Sequence, residues 1–245
     1  AHQYLPWKTA DRHFDGQVWV GPISGNGVPD RRHSLGQRST AILIPTSVLE
    51  DPQAPFDVIY WFHGLGGWGE RDAHIRLASR IQNIVEACPG YGRFVVVAPE
   101  MPWSQNTSTP RGRQGRVWTG RTHVENLKVF HNETLRVLSR EHGLNFYPPG
   151  KVMIVGHSAG GSAIMSAARS GALSQIRPSV IISSDAGYGS WTERTYRYYV
   201  KDNPDTIFYM LVRRWDRPWR NTTEFIQRVL KGTLPDNMIL HVFDR

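Results

Sequence analysis

Ser158 stands in Gly156-His157-Ser158-Ala159-Gly160-Gly161, a serine between glycines at a spacing that suits nucleophilic chemistry. The apolar run 151–155 precedes it and a helix-favouring stretch from Ser162 to Ala168 follows. The spacing predicts a sharp strand-to-helix turn that lifts the Ser158 hydroxyl above a sheet, the glycines letting strand and helix approach without Cβ clashes. A serine that merely caps the helix is the plainer alternative. A hydroxyl attacking a carbonyl generates an oxyanion, which needs two backbone N–H donors. A second glycine-rich segment, His63-Gly64-Leu65-Gly66-Gly67-Trp68, follows the run 58–62 and can supply one donor, while the residue after the nucleophile supplies the other. The expected donors are Leu65 and Ala159. The turn lacks the lysine of a phosphate-binding G-x-x-x-x-G-K-[ST] loop, which argues against a phosphate cradle.

Both segments need a rigid platform. Runs rich in β-branched and aromatic residues, the strand candidates, lie at 18–20, 39–44, 58–62, 94–98, 151–155, 179–183, 207–213 and 238–243. Helix-period stretches lie at 70–87, 124–141, 159–169, about 193–200 and 222–231. No repeat or linker divides the chain, so residues 1–245 read as one α/β domain. Its architecture is a mostly parallel twisted sheet of about eight strands with helices on both faces. The segment from Asp15 to Thr46 reads as an antiparallel hairpin feeding that sheet. Such sheets bind ligands beyond the carboxyl ends of their strands, where the loops after Phe62, Ala98, Val155, Ser183 and Arg213 fall.

With these motifs in this order, the chain resembles the α/β-hydrolase superfamily from about Arg38 to Phe243. More narrowly, the H-G-x-G-G turn and the G-H-S-A-G-G elbow resemble those of feruloyl-esterase-like and polyester-depolymerase-like serine esterases. The resemblance implies a Ser–acid–His triad in that chain order, cleaving an ester through an acyl-enzyme. It puts the acid just past the run 207–213, where Asp216 stands, with Asp185 at the end of the preceding strand as the alternative. A surface ion pair with Arg214 or Arg217 is the structural account of Asp216, and an N-cap or loop brace that of Asp185. The resemblance puts the base after the last strand, but His241 falls inside that strand, on the face of Ile239 and Phe243, and the sequence stops at Arg245 without the family's final helix. His241 is therefore the nominal base, with a core or sheet-edge histidine as the plainer reading of it; the alternatives are a chain that continues past Arg245 to carry the base, or a catalytically inactive relative. His63 and His157 are expected to shape the turn and the elbow, and His74, His123, His131 and His142 to be solvated or packed.

The 245 residues carry a net charge of +8, from 24 Arg and 5 Lys against 21 acidic residues, which first suggests nucleic acid. Arg111, Arg113, Arg116 and Arg121, together with Arg213, Arg214, Arg217 and Arg220, are instead expected in loops at the mouth of the site, where their rigid forks suit an anionic substrate. Trp68, Trp103, Trp118, Trp191, Trp215 and Trp219 share those loops and would suit aromatic, carbohydrate-linked or polymeric esters. No metal-ligand spacing occurs and no cofactor is expected. No apolar run is long enough to span a membrane, and nucleic acid is not an expected partner. Lone Cys88 excludes an internal disulfide and reads as a buried thiol. The start at Ala1 reads as any leader having been removed already, which is compatible with secretion, and an extracellular or periplasmic location is the expectation. Asn-x-Ser/Thr triplets begin at Asn106, Asn132 and Asn221. A second function follows from the missing base: a binding or assembly subunit of the same fold that grips a polyanion.

Overall fold

Unbroken apolar runs such as 94–98 belong to strands buried on both faces, and alternating ones to strands with one partly open face. The computed structural model bears this out, and describes residues 3–4, 8–9, 12–13, 16–23, 39–64, 93–99, 101, 126–145 and 150–244. In chain order the strands before the first long helix are β1 (Gln3–Tyr4), β2 (Lys8–Thr9), β3 (Arg12–His13), β4 (Gly16–Pro22), β5 (Ser39–Pro45), β6 (Asp57–Phe62) and β7 (Phe94–Pro99), with the short helix α1 (Thr46–Leu49) after β5. There follow α2 (Asn126–His142), β8 (Val152–His157), α3 (Gly160–Ser170), α4 (Leu173–Ile176) and β9 (Val180–Ser184). The chain continues through α5 (Trp191–Tyr198), a 3-10 turn at Val200–Asp202, β10 (Ile207–Arg213), α6 (Arg217–Val229) and β11 (Met238–Phe243).

Among the described residues nine strands form the main sheet, in the order β1-β4-β5-β7-β6-β8-β9-β10-β11, and β2 pairs with β3 separately. From β7 to β11 every neighbouring pair is parallel, while β4 and β5 join the edge antiparallel, as the hairpin reading requires. The ninth strand is the two-residue β1, too short for its pattern to register. β6 lies between β7 and β8, so the chain leaves β6 toward one side and crosses back through α2 to the other. That reversal sets the carboxyl ends of β6 and β8 side by side, where this sheet type opens a crevice. The larger core packs α2, α3 and α6 against residues such as Val58, Tyr60, Phe62, Ile154 and Phe208. A smaller cluster of Val18, Ala41, Leu43, Phe94 and Val96 covers the other face.

One helix departs from expectation at its start. The one expected at 222–231 starts at Arg217, because Asp216 holds the N-cap position and Pro218 sits in the first turn, both helix-start signals. Arg217 and Arg220 therefore lie on a helix and not in a loop. The stretch 70–87 lies outside the described residues, as do Cys88 and Asn106. Among the described residues no helix is long and apolar enough to cross a membrane. Of the triplets, Asn132 is exposed on α2, whereas Asn221 donates through Nδ2 to the Gly187 carbonyl at 2.8 Å. Gly187 itself leaves no room for a side chain: a Cβ there would stand 2.6 Å from Thr222 Oγ1 and 2.8 Å from the Pro218 carbonyl. The first turns of α6 are thus docked onto the loop after β9.

The core also holds a titratable pair. Tyr60 is fully buried on β6, and its hydroxyl oxygen is hydrogen-bonded to His131 Nδ1 on α2 at 2.5 Å. Burial pushes the tyrosine well above its ordinary range and lowers His131 to about 4. An unfolded chain binds the imidazole proton near pH 6.5, so between about 4 and 6.5 the unfolded state holds more protons and stability falls as the pH is lowered. Denaturant melts at pH 7.5, 5.5 and 4.5 are expected to lose up to about 3 kcal/mol through this group. His131→Gln should be less stable at pH 7.5 but flatter across that window; an unchanged slope would refute the assignment.

Candidate active site

At the end of β8 the backbone turns so sharply that Ser158 takes φ +50, a left-handed conformation that a non-glycine residue holds only when its surroundings impose it. Two hydrogen bonds and two close backbone approaches impose it. The Ser158 N–H donates to the Ser184 carbonyl at 3.0 Å, tying the elbow to β9, and the Ser158 carbonyl accepts from Gly161 N–H at 3.0 Å, starting α3. A Cβ on Gly156 would meet Ile164 Cδ1 at 2.6 Å and the Gly160 carbonyl carbon at 2.9 Å. One on Gly160 would lie 2.0 Å from the Phe62 carbonyl oxygen of β6. The glycines flanking Ser158 are thus required by close approach, and the strained φ falls on the serine itself.

The turn after β6 lies directly against the nucleophile: a Cβ on Gly64 would stand 3.1 Å from Ser158 Cβ and 3.1 Å from His157 Nδ1. Ala159 is 3% exposed, and among the described residues no acceptor takes its N–H, which stands at the N-cap position of α3. Leu65, the other expected donor, lies outside the described residues. So do Trp68, Trp103, Trp118, Arg111, Arg113, Arg116 and Arg121.

His63 holds that turn in place. It is buried, with Nε2 accepting the Met101 N–H at 2.9 Å and Nδ1 2.7 Å from the Gly64 carbonyl oxygen. A backbone N–H can only donate, so Nε2 is bare and the proton sits on Nδ1, donated to Gly64. The imidazole thereby links Met101, two residues past β7, to the turn beside Ser158, where the sequence alone points only to a general shaping role. His157 is exposed and stacks on Trp61, with ring centroids 6.4 Å apart.

The acids lie one and two strands away. Asp185, at the end of β9, has φ +48, and its Oδ1 is 3.4 Å from the Arg213 N–H. Asp216, beyond β10, is paired with Arg213 through both Nε and the terminal nitrogen of the guanidinium. Asp216, and then Asp185 and Tyr188, push the Arg213 guanidinium above its ordinary range. The expected partners Arg214 and Arg217 are therefore replaced by Arg213, and Arg214 pairs instead with Asp244 at 2.7 Å.

His241 is not brought to Ser158. His157, Ser184, Leu211 and His241 occupy one row across β8, β9, β10 and β11, which spans about 14 Å at strand spacing. His241 is exposed on the edge strand, and among the described residues no side chain hydrogen-bonds to Ser158 Oγ. Nor do any described residues form a cluster suited to a metal ion.

No family model and no curated protein matches this sequence. Solved structures do match over nearly the whole chain. A ferulic acid esterase superposes with a TM-score of 0.56 at 13% identity, covering 95% of this chain and 91% of its own. The rice cell wall degrading esterase LipA of Xanthomonas oryzae gives 0.56 at 13%, covering 100% and 90%. Fluorophosphonate-binding serine hydrolase F of Staphylococcus aureus gives 0.55 at 12%, covering 94% and 92%. At these identities the likeness is one of fold: the chain adopts the α/β-hydrolase fold that its motifs resemble.

Two substitutions separate packing from chemistry. Gly160→Ala is expected to destabilise the protein by about 2–4 kcal/mol in urea melts, because its Cβ overlaps backbone. Gly64→Ala should melt within about 1 kcal/mol of the parent but react with a fluorophosphonate roughly 10 to 100 times more slowly, since it displaces the turn against Ser158. Equal reaction rates would show that the turn does not bear on the serine.

Proposed function

We propose that this protein is a serine hydrolase that cleaves a carboxylic ester through an acyl-enzyme on Ser158. The observation that carries the reading is the strained Ser158, held against the Gly64 turn at the reversal point of the sheet. Ser158 Oγ attacks the ester carbonyl carbon as its proton passes to a base, and the carbonyl oxygen becomes an oxyanion held by the Leu65 and Ala159 amides. Collapse breaks the ester bond and releases the alcohol with that proton. Water then attacks the acyl group, freeing the acid and restoring Ser158.

Asp216 is the proposed acid, orienting the base and stabilising its charged form. Its bond to Arg213 leaves Oδ1 for that purpose. The base is an imidazole other than His241, whose place on the edge strand is too distant. The substrate is an aromatic, carbohydrate-linked or polymeric ester carrying negative charge, matched by the arginines and tryptophans after β10. His241's placement favours one other reading, a non-catalytic subunit of the same fold.

Ser158→Ala should abolish fluorophosphonate labelling and lower p-nitrophenyl acetate turnover by about four orders of magnitude. If the parent protein neither labels nor turns over, the non-catalytic reading holds. Asp216→Asn should lower kcat about 10⁴-fold and Asp185→Asn less than about tenfold; the reverse order would make Asp185 the acid.

A further inference from the structure

The solvent faces of α5 and α6 carry Arg194, Arg197, Arg217, Arg220, Arg228 and, just past α6, Lys231, all exposed, against only Glu193 and Glu224. On α6, Arg217, Arg220, Glu224 and Arg228 recur at positions i, i+3, i+7 and i+11, so they line one stripe about 17 Å long. The two helices are joined: Tyr196 and Phe225 pack with ring centroids 5.6 Å apart. Glu193 takes Arg197 at 2.8 Å on one carboxylate oxygen and Arg228 at 2.6 Å on the other. Glu193 is thereby engaged within the patch, leaving Glu224 as the other acid of the stripe.

Folding gains little from this arrangement. Arg194 and Arg197, and Arg217 and Arg220, are like-charged neighbours three residues apart, which repel. Arg217 and Arg220 also stand in the first turn of α6, where the helix dipole disfavours cations. At the same end of the stripe Trp215 is 72% exposed at φ +68, its ring 4.9 Å from that of Trp219. A residue that merely stapled the helix start would bury its ring; this one leaves the indole in water and holds a strained backbone as well. The turn that presents it is fixed by Arg214 N–H to the Phe243 carbonyl at 2.9 Å and Arg220 N–H to the Asp216 carbonyl at 3.1 Å.

We infer that this face docks a linear acidic polysaccharide, its acid groups on the arginine stripe and a sugar ring on Trp215. Arginine's planar fork matches carboxylate and sulfate oxygens, and an indole face suits a ring and not a bare anion. The surface includes the arginines and tryptophans after β10 that the hydrolase reading gives to the substrate, and it rests on that reading only for what the polymer is, since docking itself does not require the chemistry of Ser158.

The test is binding of dextran sulfate, measured by anisotropy across a salt series, with neutral dextran and inorganic polyphosphate as controls. Dextran sulfate should bind with an affinity that falls steeply with salt, and neutral dextran should not bind. Arg194→Glu/Arg217→Glu/Arg220→Glu should bind at least about tenfold more weakly, with a log–log salt slope shallower by about one per arginine. Trp215→Ala should weaken dextran sulfate several-fold and polyphosphate not at all. Ser158→Ala should bind like the parent, so failure of the hydrolase reading would leave this result intact. No binding by the parent, an unaffected triple variant, equal effects of Trp215→Ala on both polymers, or tighter binding to phosphatidylglycerol vesicles than to dextran sulfate would each overturn the proposal.

Discussion

Ser158 can stand where it does only because three glycines let β6, β8 and α3 approach more closely than side chains would permit. Gly156 and Gly160 admit the strand-to-helix turn against Ile164 and the Phe62 carbonyl, and Gly64 brings the neighbouring turn into contact with the serine's own Cβ. With the glycine spacings that close, the strain of the elbow falls on Ser158, at φ +50. The order of strands supplies the rest. Because β6 lies between β7 and β8, these two turns leave adjacent strands in the same direction, and His63 then fixes the first turn through Met101, just past β7. Reactivity at this point is a property of packing before it is one of any acid or base.

Much of this was legible in the sequence because it is local. The parallel strands are near-continuous apolar runs, and 207–213 and 238–243 match their observed bounds. The elbow could be read because a G-x-S-x-G pattern between strand and helix has one favourable geometry. What escaped depends on distance in sequence or on competing signals. The start of α6 was placed five residues late because Trp215 and the arginines looked like loop, although Asp216 and Pro218 mark a helix start. The partnership of Asp216 with Arg213 could not be singled out among four neighbouring arginines. The two-residue strands β1 to β3 are too short to carry a period.

Asp216 illustrates how one carboxylate meets several demands. It stands at the N-cap position of α6, its side chain engages Arg213, and Arg213 in turn has Asp185 beside it. The loops after β9 and β10 are therefore coupled electrostatically as well as sterically, through Gly187 and Asn221. A substitution in either loop acts on both, which is why single replacements of these acids must be read together. The basic excess is likewise redistributed: part is neutralised within these loops, and part lies along the exposed faces of α5 and α6.

β11 is the outermost strand of the sheet, hydrogen-bonded among the described residues only to β10. Its outward-facing row runs Ile239, His241, Phe243, with the two apolar side chains 40% and 39% exposed. An open strand edge bearing an apolar row is a template for accidental pairing between molecules, and polar interruptions are how natural sheets discourage it. His241, suggested by chain order as a catalyst, stands in the middle of that row. A polar ring at that position breaks the row, so the exposed edge offers no unbroken apolar strand to a second molecule.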